Sequence, residues 1–439
     1  MRLLIERAER YFAFAALGTN WRTETLAGLT TFLTMSYIVF VNPSILREAG
    51  MPVTGVGVAT CLAAGLGSLL MGLVARYPIG LAPGMGINAY FTYTVVLGMG
   101  VPWQTALGAV FVSGILFLLL TAAGVQQAIV RAIPASLYAA VAAGIGLFLA
   151  LIGMQNAGII VAHDATMVSL GDLTRPLTLL ALLGVMLIGA LIAWGVKAAM
   201  VIGILATTIG GIPLGLVQWS PATYQWGEIS ATAFQLDIGA ALSLGLLEIV
   251  FVFWFVDLFD NVGTLVAVGK KARLFESETR IPRLGRILFA DGVASTTGAL
   301  FGTSTVVSYI ESAAGVAAGG RSGFTAVVVG VLFLLSLAIT PLIGVIPAAA
   351  TAPTLIVAGS LMLSAVREIE WGDATIGIPA FLTLTTIPLS YSIASGLAIG
   401  FIAYTLLTVL HGEYRKISWL VYVLTGLFLL RFAYLGSTG

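Results

Sequence analysis

Of the 439 residues, 59% are hydrophobic and only 9% are charged, with a mean hydropathy of +1.06. A water-soluble domain carries about 25% charged residues to cover its surface, so this chain must use lipid as part of its solvent. A net charge of +1 offers no basic field for nucleic acid, a single cysteine excludes a disulfide framework, and two dispersed histidines, His163 and His411, cannot form a metal site.

The first ten residues form a charged amphipathic segment without the apolar run and cleavage site of a signal peptide. It is expected to lie along the cytoplasmic membrane face. Apolar runs close to the roughly 20 residues needed to cross hydrocarbon then begin near Leu26, Val53, Ile79, Trp103, Ile133, Pro176, Lys197, Ile238, Ile287, Val306, Phe324, Ile346, Thr375 and Ser392, which makes fourteen spans. A further run, Ile417 to Phe432, suits an interfacial helix or a fifteenth span equally. Basic residues mark cytoplasmic loops, and they follow the even-numbered spans. Arg76, Arg131 and Lys197 follow spans 2, 4 and 6. Lys270, Lys271, Arg273, Arg280, Arg283 and Arg286 follow span 8, and Arg321, Arg367 and Arg415 with Lys416 follow spans 10, 12 and 14. The stretch Gln218 to Asp237, after span 7, has Glu228 and Asp237 but no Lys or Arg. Arg47 and Arg175 are the exceptions. This pattern implies a multi-pass protein of the cell (inner) membrane with a cytoplasmic N-terminus.

The two halves resemble each other. Ile115-Leu-Phe-Leu-Leu-Leu120 recurs as Val331-Leu-Phe-Leu-Leu-Ser336, and Ile133-Pro-Ala-Ser136 recurs as Ile346-Pro-Ala-Ala349. A seven-span repeat is odd in number, so its second copy must enter the membrane upside down, the plan of many secondary transporters. The expected fold is therefore all-α and polytopic, a 7+7 inverted repeat with short extended stretches in broken spans 3 and 10.

Those two spans carry the candidate site. Span 3 reads Ile79-Gly-Leu-Ala-Pro-Gly-Met-Gly-Ile-Asn-Ala-Tyr90, where three glycines and Pro83 oppose a continuous helix and Asn88 stands as a natural N-cap, with Ala89 beside it. Gly84-Met-Gly86 looks like a fragment of a phosphate loop, but inside a span it reads as close backbone packing, and no cofactor is expected. Span 10 reads Gly302-Thr-Ser-Thr-Val-Val-Ser-Tyr-Ile-Glu-Ser-Ala-Ala-Gly315; its Thr, Val, Ser and Tyr favour extended backbone before a helix that opens near Glu311. The repeat places Asn88 opposite Glu311, facing it. Span 8 adds Asp257, Asp260 and Asn261 at i, i+3 and i+4, expected on one helical face. A carboxylate at membrane depth costs about 2.5–3.5 kcal/mol even on the lenient insertion scale, so these groups need a reason to be there. Asp257 and Glu311 favour a binding or coupling role. Asp260 and Asn261 suit ligand contact and a helix-to-helix polar clasp equally. Asp291 reads as a brace for span 10, and Glu248, near the outer end of span 8, as facing water. Such a site suits a small, flat, neutral molecule rich in N–H donors, such as a nucleobase. A low-dielectric setting disfavours the charged carboxylate, so one group could couple proton entry to substrate entry.

At these residues the chain resembles the nucleobase–cation symporter superfamily that includes the uracil and xanthine permeases, and within it the AzgA-like adenine–guanine–hypoxanthine permeases. The likeness runs from Gly28-Leu-Thr-Thr-Phe-Leu-Thr-Met-Ser-Tyr37 to Tyr404. Its most specific stretches are Ala82 to Tyr90, Asp257-Leu-Phe-Asp-Asn-Val-Gly-Thr264, and Ser304 to Gly315 with Gly319-Gly-Arg-Ser322. The resemblance implies a core domain (1–132 and 238–345, spans 1–4 and 8–11) and a gate domain (133–237 and 346–439, spans 5–7 and 12–14). It also implies a homodimer, elevator-like movement and proton-coupled purine uptake. Carried over by position, Asn88, Ala89, Asp257, Glu311 and Ser312 would bind substrate, while Asp257, Asp260, Asn261, Asp291 and Glu311 would couple protons or support binding. Ser312 after Glu311 favours the adenine–guanine–hypoxanthine branch, since uracil and xanthine permeases have Asn there. Asp257 stands where those relatives have Glu. An anion transporter of the same fold is the rival cargo reading, opposed by the carboxylates. A channel would need a continuous polar lining, and a membrane-embedded metalloenzyme would need supporting histidines.

Overall fold

A computed structural model describes residues 2–219, 226–243, 246–272 and 281–438. Arg273 and Arg280 of the basic loop lie outside the described residues.

The chain opens with an amphipathic helix, Arg2–Tyr11. Among the described residues, fourteen segments follow that correspond to the expected spans and are numbered as such. Span 1 is Trp21–Met35 continued by Ile38–Glu48, and its start is fixed by Asn20, whose side chain accepts the Thr23 N–H at 3.0 Å. Span 2 is Val53–Ala75. Span 3 comprises a strand β1 (Leu81–Pro83), a helix Met85–Ala89 and a wider-turn helix Tyr90–Gly98. Spans 4 to 7 are Trp103–Ala122, Ala135–Asn156, Pro176–Ala193 and Ala199–Gly211, with a hairpin of β2 (Ile160–His163) and β3 (Met167–Leu170) between spans 5 and 6. Spans 8 and 9 are Leu247–Ala272 and Leu284–Phe301. Span 10 is β4 (Val306–Ser308) and the helix Ser312–Ala317. Spans 11 to 14 are Gly323–Val345, Ala348–Glu368, Ala374–Leu389 and Ile393–Leu410. Among the described residues, nine helices are long and apolar enough to cross a membrane. The other five spans are the broken ones (3 and 10), the short ones (7 and 13), and span 9, which carries Arg286 and Asp291. Span 8 begins nine residues later than the sequence suggests, because Asp237 caps a separate short helix, Ile238–Ala241, by accepting the Ala240 N–H at 2.9 Å.

The packing repeats with a period of seven spans. Span 2 packs on span 11 and span 9 on span 4; span 1 packs on spans 10 and 11, and span 8 on spans 3 and 4. Spans 5 and 12 face each other, each flanked by its partner's neighbour, span 13 on 5 and span 6 on 12. Glycine makes the closest crossings possible. A Cβ at Gly323 would stand 2.1 Å from the Gly72 carbonyl, between spans 2 and 11, and one at Gly359 would stand 2.3 Å from the Gly146 carbonyl, between spans 5 and 12. Backbones meet there without side chains between them, which is how membrane helices gain dispersion contact in lipid.

The two broken spans repair each other. Backbone that leaves a helix inside hydrocarbon must find other partners. Strands β1 and β4 supply them as an antiparallel pair, with Leu81 opposite Ser308, Ala82 opposite Val307 and Pro83 opposite Val306. Bonds from Gly84 N–H to the Thr305 carbonyl (2.9 Å) and from Tyr309 N–H to the Gly80 carbonyl (3.0 Å) extend the pair. Pro83 tolerates this because a two-stranded ribbon leaves one side of each strand free.

The last segment, Trp419–Thr438, is a helix that runs antiparallel along span 14. Thr425 and Thr405 hydroxyls meet at 2.7 Å, and Phe428 packs among Phe251, Phe255 and Phe401. Further along, Arg431 pairs with Glu248 in the first turn of span 8. Glu248 is thus held by a cation rather than facing water, its side chain 20% exposed.

Candidate functional site

A cavity of about 850 Å³ lies between the two sets of spans. One wall comes from the paired strands and span 8: Gly84, Met85, Ser308, Tyr309, Glu311, Phe259 and Asp260. The other comes from spans 5 and 12, with Tyr138, Ile145, Ala358 and Met362 among its residues. The lining continues to Arg131, Lys197 and Glu368, at ends of spans that the charge pattern places on the cytoplasmic side.

Glu311 occupies the N-cap position of the helix Ser312–Ala317, so the sequence located this helix start correctly. Its carboxylate accepts a hydrogen bond from Tyr37 Oη at 2.5 Å, and its carbonyl accepts one from Thr34 Oγ1 at 3.4 Å. Tyr309 Oη donates to the Pro83 carbonyl at 2.6 Å and ties the two strand ends together. Asp260 opens on the same cavity beside the bare backbone of Gly84, where an added Cβ would lie 3.5 Å from Asp260 Oδ2.

The three polar residues of span 8 do not share one face. Positions i and i+4 lie about 40° apart on a helix, but i+3 and i+4 lie about 100° apart. Asp260 therefore turns to the cavity while Asp257 and Asn261 turn toward span 9. Asp257, Asn261 and Asp291 are 2%, 1% and 0% exposed. The Asn261 amide donates to Asp257 Oδ1 (2.8 Å) and to Asp291 Oδ2 (2.7 Å), and its carbonyl accepts the Ser308 N–H at 2.8 Å. Ser295 Oγ donates to the Val306 carbonyl at 2.8 Å and accepts the Val306 N–H at 3.2 Å. This cluster clamps β4 from behind, and Asp291 braces span 10 through Asn261.

Asn88 is placed differently from its expected position. The helix of span 3 opens at Met85, with Gly84 as the extended residue before it, and Asn88 N–H bonds the Gly84 carbonyl inside the first turn at 2.8 Å. Its side chain points away from the cavity: Nδ2 donates to Asn42 Oδ1 at 2.5 Å, and Oδ1 accepts from Ser304 Oγ. Asn42 in turn donates to Thr60 (2.7 Å) and Thr303 (2.8 Å). Asn88 is thus the hub of a buried polar clasp joining spans 1, 2, 3 and the stretch before β4, and it does not face Glu311. Ala89 is buried beside it. Ser312 Oγ accepts the Gly80 N–H at 3.0 Å, a second structural tie. Of the residues picked from sequence, Glu311 and Asp260 therefore line the cavity, while Asn88, Ala89, Asp257, Asn261, Asp291 and Ser312 form its buried supports. Tyr37, Tyr138, Ser308 and Tyr309 were not singled out. Tyr37, Ser308 and Tyr309 lie inside distinctive stretches, but Tyr138 carries no sequence signal at all.

Segments that pack with a seven-span period, joined by crossed half-strands beside a cavity with carboxylates on its wall, define a membrane carrier of the inverted-repeat kind. Residues 22–394 match the Permease family, and the chain belongs to that family. Adenine permease AdeP of Escherichia coli is 44% identical over 429 residues, covering 98% of this chain and 96% of that one. Guanine/hypoxanthine permease PbuG of Bacillus subtilis is 43% identical over 439 residues, covering 97% and 99%. Among solved structures, the transmembrane domain of the cyanobacterium bicarbonate transporter BicA superposes with a TM-score of 0.64 over 87% of this chain and 97% of that one, at 17% identity. That likeness concerns the fold. The protein is a transporter rather than an enzyme.

Proposed function

We propose that this permease takes up purine nucleobases (adenine, guanine or hypoxanthine) with a proton, by an elevator-like movement of a core domain against a gate domain. The observation that carries the reading is Glu311 on a cavity wall built from crossed half-strands, in a chain 43–44% identical over nearly its whole length to permeases named for purines. A purine presents N–H donors that a carboxylate accepts with charge assistance, and Phe259 lies beside Asp260 to meet its flat face. Carboxylates at the cavity base disfavour an anionic cargo such as the bicarbonate named for the fold neighbour. We assign residues 1–132 and 238–345 to the core, and 133–237 and 346–439 to the gate. Membership of the homodimer-forming symporters is what supports a dimer; it rests on the sequence resemblance.

The N-terminus is assigned to the cytoplasm, which makes the cavity inward-open. Its lining reaches Arg131, Lys197 and Glu368, while the opposite ends of the spans are tied shut. There Thr94 Oγ1 of span 3 donates to the Tyr391 carbonyl at 2.5 Å, Tyr391 Oη bonds Gln155 of span 5, and Phe148 meets the Tyr391 ring edge-on at 5.4 Å. The Thr94–Tyr391 bond joins proposed core to proposed gate and must part before the cavity can open outward, while Gln155 and Phe148 hold Tyr391 within the gate.

A radiolabelled panel of adenine, guanine, hypoxanthine, xanthine and uracil in a permease-deficient host tests the cargo. We expect accumulation of at least one of the first three, collapsing with a protonophore and indifferent to sodium. Accumulation of uracil or xanthine alone would move the protein to the sister branch, and sodium dependence would replace the proton. The orientation has its own test. The single cysteine, Cys61, is buried, so a Cys61→Ala background is simple to build. Gly263 lines the cavity and an added Cβ there meets nothing within 4 Å. Gly263→Cys should react with an impermeant thiol reagent in inside-out vesicles, be protected by purine, and stay unlabelled in intact cells. Labelling confined to intact cells would reverse the assigned topology.

A further inference from the structure

The carboxylates explain how the cavity would read N–H donors, but a purine also carries lone pairs that must not be buried unmet. Two residues that line the cavity each carry a buried hydroxyl with no hydrogen-bond partner among the described residues. Ser308, at the end of β4, is 2% exposed; its N–H is held by Asn261, yet its Oγ has no hydrogen-bond partner among the described residues. Tyr138, on span 5 across the cavity, is 9% exposed, and its Oη likewise has no partner among the described residues. Its ring is held against Phe259 with centroids 4.4 Å apart and planes inclined at 34°, one residue from Asp260. A buried phenol that donates to nothing is worse placed than a phenylalanine of the same shape. Two other hydroxyls on the lining are already committed: Tyr309 to Pro83, and Thr34 to carbonyls of its own helix and of Glu311.

Building on the purine reading, we propose that Ser308 and Tyr138 are specificity-determining residues that donate hydrogen bonds to the lone-pair edge of the bound base, its N7 and, in 6-oxopurines, O6. The arrangement divides recognition by chemistry: Glu311 and Asp260 accept, Ser308 and Tyr138 donate. It also divides recognition by location. Ser308 lies in β4, on the same wall as the carboxylates, whereas Tyr138 stands on the opposite wall. The base therefore completes a hydrogen-bonded bridge across the cavity, and an analogue that lacks an acceptor leaves one hydroxyl unmet.

The test compares uptake of hypoxanthine, 7-deazahypoxanthine (no N7 acceptor) and unsubstituted purine (no O6) by wild type, Tyr138→Phe and Ser308→Ala. Each variant should raise the KM for hypoxanthine about 5- to 10-fold, the weight of one neutral hydrogen bond with its partner left unpaired. That loss should vanish for one of the two analogues, the one missing the acceptor that the deleted hydroxyl serves. Thermal stability of Tyr138→Phe should be unchanged or higher, since the hydroxyl has no protein partner to lose. Losses equal across all three bases, or KM values unchanged by both variants, would overturn the proposal while leaving purine transport in place. Absence of purine uptake by the wild type would instead remove the functional reading on which it rests.

Discussion

A Glu311→Gln variant should accumulate no labelled purine above the vector control, although it reaches the membrane at the wild-type level. The substitution is nearly isosteric. Tyr37 Oη can still donate to the remaining amide oxygen, as it does to Glu311 Oε1 at 2.5 Å, so the local fold is kept. What disappears is the charge and one acceptor, replaced by an NH₂ that opposes the donors of a base. Two charge-assisted hydrogen bonds are weakened or reversed, a loss of roughly 3 kcal/mol or more, on the order of 100-fold in affinity. Concentrative uptake also needs a group that exchanges a proton, and an amide cannot. Counterflow in proteoliposomes separates the two roles. If the variant still trades internal unlabelled base for external label, Glu311 couples but does not bind. If counterflow is lost as well, it binds. Unchanged accumulation would remove Glu311 from the mechanism altogether.

Much of the architecture was legible because it rests on one-dimensional signals. Span lengths follow from hydrocarbon thickness, and the broken spans announce themselves through Gly80, Pro83, Gly84 and Gly86 in one half and Thr303 to Val307 in the other. Their mutual pairing follows from the need to satisfy backbone in lipid. Side-chain direction was less legible. Whether Asp257 or Asp260 faces the cavity depends on the rotation of span 8, and three polar residues within five positions are compatible with either face. Asn88 had an equally good reading as an N-cap. Only the partners Asn42, Thr60, Thr303 and Ser304, brought in from other spans, decide that it is a clasp. Glu248 was read as solvated because its cation, Arg431, is 183 residues away, on a terminal helix whose position no local pattern fixes. Tyr138 was invisible for the same reason: an aromatic residue in an apolar span is ordinarily packing.

The two neighbours on span 8, Asp260 and Asn261, should fail in opposite ways when changed. Asn261→Ala strips the amide donor from two buried carboxylates and the acceptor from the Ser308 N–H. Asp291 Oδ1 already has no partner among the described residues, so Asp291 can least spare the bond at Oδ2. Buried polar groups left unsatisfied cost about 1–3 kcal/mol each. Three such groups, partly relieved by relaxation, give about 3–5 kcal/mol. At about 2–4 °C per kcal/mol, purified Asn261→Ala protein in detergent should melt about 10 °C below wild type and lose uptake because β4 is no longer held. Asp260→Asn instead changes a group that opens on the cavity. Its melting temperature should stay within a few degrees of wild type, while purine uptake falls sharply and substrate no longer protects Gly263→Cys from thiol labelling. Equal melting temperatures for the two variants would mean that Asn261 does not bear the clamp. Normal uptake by a stable Asp260→Asn protein would mean that facing the cavity does not make this carboxylate part of the site, and the accepting side of base recognition would then fall to Glu311 alone.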